Sequence, residues 1–168
     1  MILDHSAVRR VRSALEAGGV TTDIVILDEH ARTAEAAATQ LDVQVAQIAN
    51  SLIFTVPVSG GLDSPAAAEG LLVLTSGAHR VDTGKVAELL GVDRVDQADA
   101  DFVRDRTGFA IGGVAPVGHP APLRTLIDVR LAEHEEVWAA AGHPRSVFRT
   151  SFDQLLRLTG GTPAEVAS

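Results

Sequence analysis

The sequence predicts a mixed α/β fold, a curved mixed β-sheet flanked by helices. Three observations predict it. Apolar residues make up 46% of the chain and charged residues 21%, a globular composition. Capped amphipathic helices are interleaved with short β-branched runs. Their order lacks the regular strand–helix beat of a doubly wound sheet. The 168 residues suit one domain with its own core, read here as residues 1–168.

Residues 6–17 read as a helix, with Val8, Val11 and Leu15 on one face, Ser6 as N-cap and Gly18-Gly19 as its stop. Asp23 to Leu27 reads as a strand. Thr33 caps a second helix through Leu41 that turns Ala34, Ala37, Ala38 and Leu41 inward. A helical turn over Val45–Ala49 leads into a strand over Ser51–Val58. Residues 59–69 form a Gly/Ser/Pro-rich loop to an antiparallel neighbour over Gly70–Ser76. Asp82 caps a helix over Thr83–Leu90 that Gly91 closes. Arg94–Gln97 is a weak strand, and Asp99 caps a helix to Arg106 closed by Gly108. Strands follow over Arg124–Val129, Val137–Ala141 and Ser146–Arg149. Ser151 to Gln154 matches a capping box ahead of a final helix that Gly160-Gly161 ends.

The residue inventory excludes several chemistries. With no cysteine there is no disulfide, thiolate metal site or thiol nucleophile. His5, His30, His79, His119, His134 and His143 show no metal-binding spacing, so no metal is expected. Neither a Gly-x-Ser-x-Gly elbow nor a phosphate loop is present, and no cofactor is expected. Glu133, Glu135 and Glu136 read as a solvated acidic face. No apolar run nears the roughly 18 residues that span a bilayer, and the N-terminus has no signal-peptide pattern. The expected location is the cytoplasm. The net charge of −8 predicts weak intrinsic affinity for nucleic acid. The basic residues are thirteen Arg and the single Lys85, which reads as a surface helix residue.

Residues 111–118, Ile-Gly-Gly-Val-Ala-Pro-Val-Gly, are the most informative stretch. Glycines let the backbone approach a ligand, and proline stiffens the turn that follows. A site here offers main-chain N–H groups and a small apolar floor. A second small-residue turn, Ala141-Gly142-His143-Pro144, ends another strand and is placed to line the same mouth.

The ordered motifs Thr33–Ala37, Gln47–Phe54, Val73–Gly77, Arg80–Asp82 with Lys85, Thr107–Pro116, Ile127-Asp128, Val137–Pro144, Val147–Arg149 and Leu155–Gly160 carry a resemblance. From about residue 7 to 160 the chain resembles the YbaK/EbsC family of aminoacyl-tRNA deacylases. These are relatives of the editing domain inserted in bacterial prolyl-tRNA synthetases. The resemblance implies a compact α/β domain with a partly barrel-like mixed sheet. It also implies hydrolysis, in trans, of the ester joining a wrong amino acid to the tRNA 3′ adenosine.

In relatives the Gly-x-x-x-Pro loop holds the aminoacyl end, and it maps onto Gly112, Gly113, Val114, Ala115 and Pro116. Asp128 matches the family's acidic residue, and Gly142 matches a glycine near the pocket. Relatives with demonstrated deacylation carry a lysine directly before the Ser/Thr-Leu-x-Phe strand, where this chain has Asn50. On this reading Gly112 to Val114 supply oxyanion donors and Asn50 orients the ester or the water. Ile111 and Val114 set the size of the accepted amino acid, and Asp128 orients a polar group or braces the loop. The expected partner is the mischarged tRNA 3′ end, presented by a synthetase. The competing expectation is a module that lost catalysis with the lysine. It would bind an aminoacyl-tRNA end, an amino-acid-like ligand or a synthetase.

Overall fold

The computed structural model describes residues 2–31, 33–57 and 68–167. Its elements run α1 (Ser6–Ala17), β1 (Ile24–Ile26), α2 (Ala34–Leu41), β2 (Ile48–Val56), β3 (Glu69–Ser76), α3 (Thr83–Leu90) and β4 (Asp96–Gln97). They continue with α4 (Ala100–Thr107), β5 (Arg124–Asp128), β6 (Val137–Ala140), β7 (Ser146–Thr150), α5 (Phe152–Thr159) and β8 (Thr162–Ala164). The strands form one eight-stranded mixed sheet in the order β1-β7-β6-β2-β3-β5-β8, with β4 paired to β2. β2 and β3 pair antiparallel, whereas β2–β6 and β3–β5 are parallel.

β3 is the centre of the core. Leu72 and Leu74 join Ala49, Ile53, Val11, Leu15, Phe109 and Leu155 on one face. Leu71 and Val73 join Phe54, Val86, Val95 and Leu126 on the other. All four β3 residues are fully buried, so this strand reads as a continuous apolar run. A smaller cluster packs Ala34, Ala37 and Ala38 of α2 on Ile48 and Trp138.

Four predicted caps are in place: Thr33, Asp82, Asp99 and Ser151 each accept a main-chain N–H of the first helical turn. Two local expectations change. α1 begins at Ser6, so its N-cap is His5, whose Nδ1 accepts the Ala7 N–H at 3.2 Å. The capping box of α5 is half made. Ser151 Oγ accepts the Gln154 N–H at 3.1 Å, but Gln154 Oε1 accepts the Thr150 hydroxyl at 2.9 Å instead of turning back to Ser151. β2 starts at Ile48, so Asn50 lies inside the strand and not before it. Val58 and residues 59–67 of the expected loop lie outside the described residues, and Glu69 belongs to β3. β8 was not expected from the sequence. It is a short edge strand with Pro163 at its middle, a residue that only an edge tolerates.

Candidate functional site

The site is a gap in the sheet. β6 pairs with β2 at Ile48 and Ala49, and β4 pairs with it at Phe54 and Thr55. Between them, among the described residues, Asn50 to Leu52 pair only with β3. The Ile53 carbonyl, on the side away from β3, accepts the Ala98 N–H at 3.1 Å. Backbone groups alternate sides along a strand, so the N–H and C=O of Ser51 face the same gap.

A cavity of about 330 Å³ fills this gap. Its apolar wall includes Ile48, Phe54, Val103, Val114 and Val147, and Asn50, Ser51, Gln97, Trp138 and His143 bring polar groups. Buried Ser51 Oγ and Trp138 Nε1 have no hydrogen-bond partner among the described residues. Asn50 is half-buried, and no hydrogen bond to its carboxamide occurs among the described residues.

The glycine loop closes one side. Ile111, 58% exposed, and Gly112 stand at the mouth, while residues 113–117 are buried. Gly112 has φ +94°, and a Cβ placed there would meet nothing within 4 Å. The Gly113 N–H is committed to the turn, donating to the Ala110 carbonyl at 3.0 Å. The donors left without a partner among the described residues are the amides of Gly112 and Val114. Of the three amides expected as donors, that of Gly113 is thus already bonded within the turn.

The second turn abuts the first, as its composition suggested. A Cβ at Gly113 would lie 3.2 Å from the His143 backbone, so the two turns are in direct contact. Gly142, at φ +101°, presses on α1, where a Cβ would come within 2.9 Å of the Ala7 carbonyl. His143 and Pro144 reach the cavity. Burial and the nearby charges of His5, His30 and Arg145 hold the His143 pKa below its ordinary value. Behind the loop, His119 Nε2 lies 2.8 Å from the Ala115 carbonyl, and burial holds its pKa low as well. Arg10 stacks over Phe109 and donates to the Gly108 carbonyl at 2.6 Å, fixing the start of the loop.

Of the residues singled out in the sequence, Asn50, Ile111, Gly112 and Val114 line this cavity. Gly113, Ala115, Pro116 and Gly142 stand behind that lining and shape it. Asp128 lies elsewhere, at the end of β5, 1% exposed. Its Oδ2 accepts the Ser76 N–H at 3.0 Å and lies 2.9 Å from His79 Nδ1. Its Oδ1 accepts the Arg130 N–H at 2.9 Å. Lys85 is also remote: Nζ donates to the Ala167 carbonyl at 2.9 Å. Gln97, Ser51 and Trp138 are lining residues that the sequence did not assign to a site, whereas His143 enters with the second turn.

An apolar cleft with a few convergent polar groups has the make-up of a small-ligand site. The family model for the aminoacyl-tRNA editing domain matches residues 28–158, and the chain belongs to that family. It is 41% identical to a crystal structure of a proposed trans-editing enzyme for prolyl-tRNA synthetase, with TM-score 0.85 and 98% of each chain covered. The crystal structure of hypothetical protein APE2540 is 27% identical, with TM-score 0.82, covering 95% of this chain and 99% of that one. Among curated proteins, the uncharacterized protein YwhH of Bacillus subtilis (strain 168) is 25% identical over 149 residues, 89% of this chain and 88% of its own.

Proposed function

We propose that the chain hydrolyses, in trans, the ester of a mischarged aminoacyl-tRNA. The observation that carries this reading is that Asn50, Gly112 and Val114 border one cavity, and that the Asn50 carboxamide and the two loop amides have no partner among the described residues. The ester needs no protein nucleophile, because the ribose oxygen is a good leaving group. Water adds to the carbonyl carbon. The carbon–oxygen bond to the ribose then breaks, and the ribose oxygen takes a proton. The Gly112 and Val114 amides hold the oxyanion, a contribution of about 3–4 kcal/mol per well-placed donor. Asn50 donates to the ester end through Nδ2 and accepts from the water through Oδ1.

Ile111, Val114 and Phe54 limit the side chain that fits, each methylene being worth about 1–3 kcal/mol of discrimination. Gly113, Ala115, Pro116 and Gly142 set the shape of the loop. Asp128, with both oxygens engaged, braces the end of β3 and the turn after β5 and does not act on substrate. A synthetase presents the tRNA to this acidic chain, and the reaction takes place in the cytoplasm.

A second reading has one specific feature in its favour, a neutral Asn50 at the position where the family resemblance implies a lysine. A neutral hydrogen bond is worth about 1 kcal/mol against about 1.5–3 for one to a charged group. On that reading the cavity binds the aminoacyl end, an amino-acid-like ligand or a synthetase without turning the ester over. A panel of mischarged tRNAs, assayed with the wild type and Asn50→Lys, decides between them. Deacylation of at least one member by the wild type is expected. Tight binding without turnover, restored by Asn50→Lys, establishes the binding module. No binding and no turnover by either protein removes both readings.

A further inference from the structure

The cavity mouth carries a cluster that the proposed reaction does not use. The ring of His143 lies 5.6 Å from that of His5 and 5.9 Å from that of His30, centroid to centroid and edge-on in both cases. His5 caps α1, His30 follows β1, and His143 lines the cavity, so three distant segments meet here. His5 and His30 are exposed and His143 is half-buried.

The hydrogen bonds assign the protons. His5 Nδ1 accepts the Ala7 N–H at 3.2 Å, and His143 Nδ1 accepts the Arg145 N–H at 3.0 Å. With Nδ1 an acceptor, each neutral ring carries its proton on Nε2. Neither Nε2 has a protein acceptor among the described residues. The cluster therefore carries ring donors that no acceptor among the described residues uses.

The permanent charge acting on His143 is cationic. The groups acting on His143 are His5, His30 and Arg145, whose Nε donates to the Leu27 carbonyl at 2.8 Å. The turn that carries His143 packs on the first turn of α1 and on the glycine loop, which has no titratable side chain from Gly108 to Gly118. Asp4, Asp28 and Glu29 neighbour the histidines in sequence. No carboxylate among the described residues is ion-paired with His5, His30 or His143. In a chain of net charge −8, the mouth of the cavity thus gathers imidazole donors beside the Arg145 guanidinium.

We infer that His5, His30 and His143 form a site for a phosphate group of the nucleic-acid strand whose acylated end enters the cavity. The inference rests on the proposed editing function and names the contact by which an acidic protein holds that strand. A phosphodiester oxygen accepts from Nε2 of His5 and His143, whose Nδ1 atoms stay engaged as acceptors, and from His30. The His30 ring has no hydrogen bond among the described residues to give up when it takes a second proton, and so makes the charge-assisted contact. The bound phosphate sits at the rim, one nucleotide linkage from the ester.

The test is an NMR titration of the full chain with adenosine 5′-monophosphate, adenosine and inorganic phosphate, at about pH 6 and about pH 8, either side of the ordinary imidazole pKa. The monophosphate is expected to shift the three histidine ring signals and to bind at least about fivefold tighter than adenosine, more so at the lower pH. Because His30 is exposed, His30→Gln is expected to leave the melting temperature unchanged and to remove most of that advantage. Equal binding of nucleotide and nucleoside, or an advantage untouched by His30→Gln, overturns the inference. So does inorganic phosphate binding as tightly as the nucleotide, which marks a free-phosphate site, or zinc saturating the rings at micromolar concentration while phosphate leaves them unmoved. Deacylation assayed on the same samples separates the two levels. If it persists while the phosphate advantage is absent, the phosphate site fails and the editing function stands. If the advantage is present and turnover is not, the site stands and the function fails.

Discussion

Asp128 and Asn50 sit on strands of the same sheet and are treated in opposite ways. Asp128 is 1% exposed, and both its oxygens are engaged by Ser76, His79 and Arg130. Asn50 is half-buried at the edge of a cavity, and its carboxamide has no partner among the described residues. A buried polar group that is fully bonded holds structure together, because removing it strands its partners. A polar group left unbonded on a cavity wall is available to a ligand. The two centres are the difference between an anchor and a site, within one family motif set.

The largest effect that can break this comparison is on stability. Asp128→Ala is expected to lower unfolding free energy by about 1–3 kcal/mol for each donor it leaves buried without an acceptor, the Ser76 N–H first. Asn50→Ala is expected to stay within about 0.5 kcal/mol, because it strands nothing. Equal midpoint shifts in paired denaturant melts would erase the distinction. Next comes the glycine loop. Gly112→Ala forces a side chain into φ +94°, where the residue itself meets no atom, so the effect falls on the direction of the loop amides. It is expected to lower single-turnover deacylation about a hundredfold, the worth of one oxyanion donor. Lys85→Ala, remote from the cavity, is expected to leave that rate unchanged. A smaller gain is expected from Asn50→Lys, about tenfold in turnover, from the added charge on the hydrogen bond.

The smallest expected effect is on pH dependence. Burial holds the His119 pKa below its ordinary 6.5, so the folded state resists a proton that the unfolded state accepts. Stability is then full above about pH 6.5 and falls as acid is added below it. Thermal melts across that range are expected to show the loss, and His119→Asn to reduce it. A flat profile for the wild type would show that the ring behind the loop is not desolvated.

Much of this molecule is legible in its sequence where the physics is local. The caps Thr33, Asp82, Asp99 and Ser151 announce their helices, because a side-chain oxygen reaches only three residues ahead. The adjacency of the 111–114 and 143–144 turns is legible as two small-residue stretches, although the first follows α4 and only the second follows a strand. What is not legible depends on pairing. The parallel β2–β6 contact is only two residues long, and that short contact is what opens the cavity beside Asn50. Gln97 and Trp138 enter the lining through that gap, from strands whose sequences say nothing of it. β8 is invisible for the same reason, a strand made by β5 and not by its own residues. The histidine cluster has no motif at all, because His5, His30 and His143 belong to three segments that only the fold brings together.

The central claim is that a ligand's acyl end meets Asn50 and the amides of Gly112 and Val114. An aminoacyl-adenosine with an amide in place of the ester tests it directly, titrated into isotope-labelled protein and followed by NMR. The account predicts large shifts of the Asn50 side-chain NH₂ and of the Gly112 and Val114 amides, with the turn-bonded Gly113 amide moving less and the Ser76 amide held by Asp128 not at all. Shifts centred on Ser76, His79 and Arg130, with Asn50 and Gly112 unmoved, would contradict it.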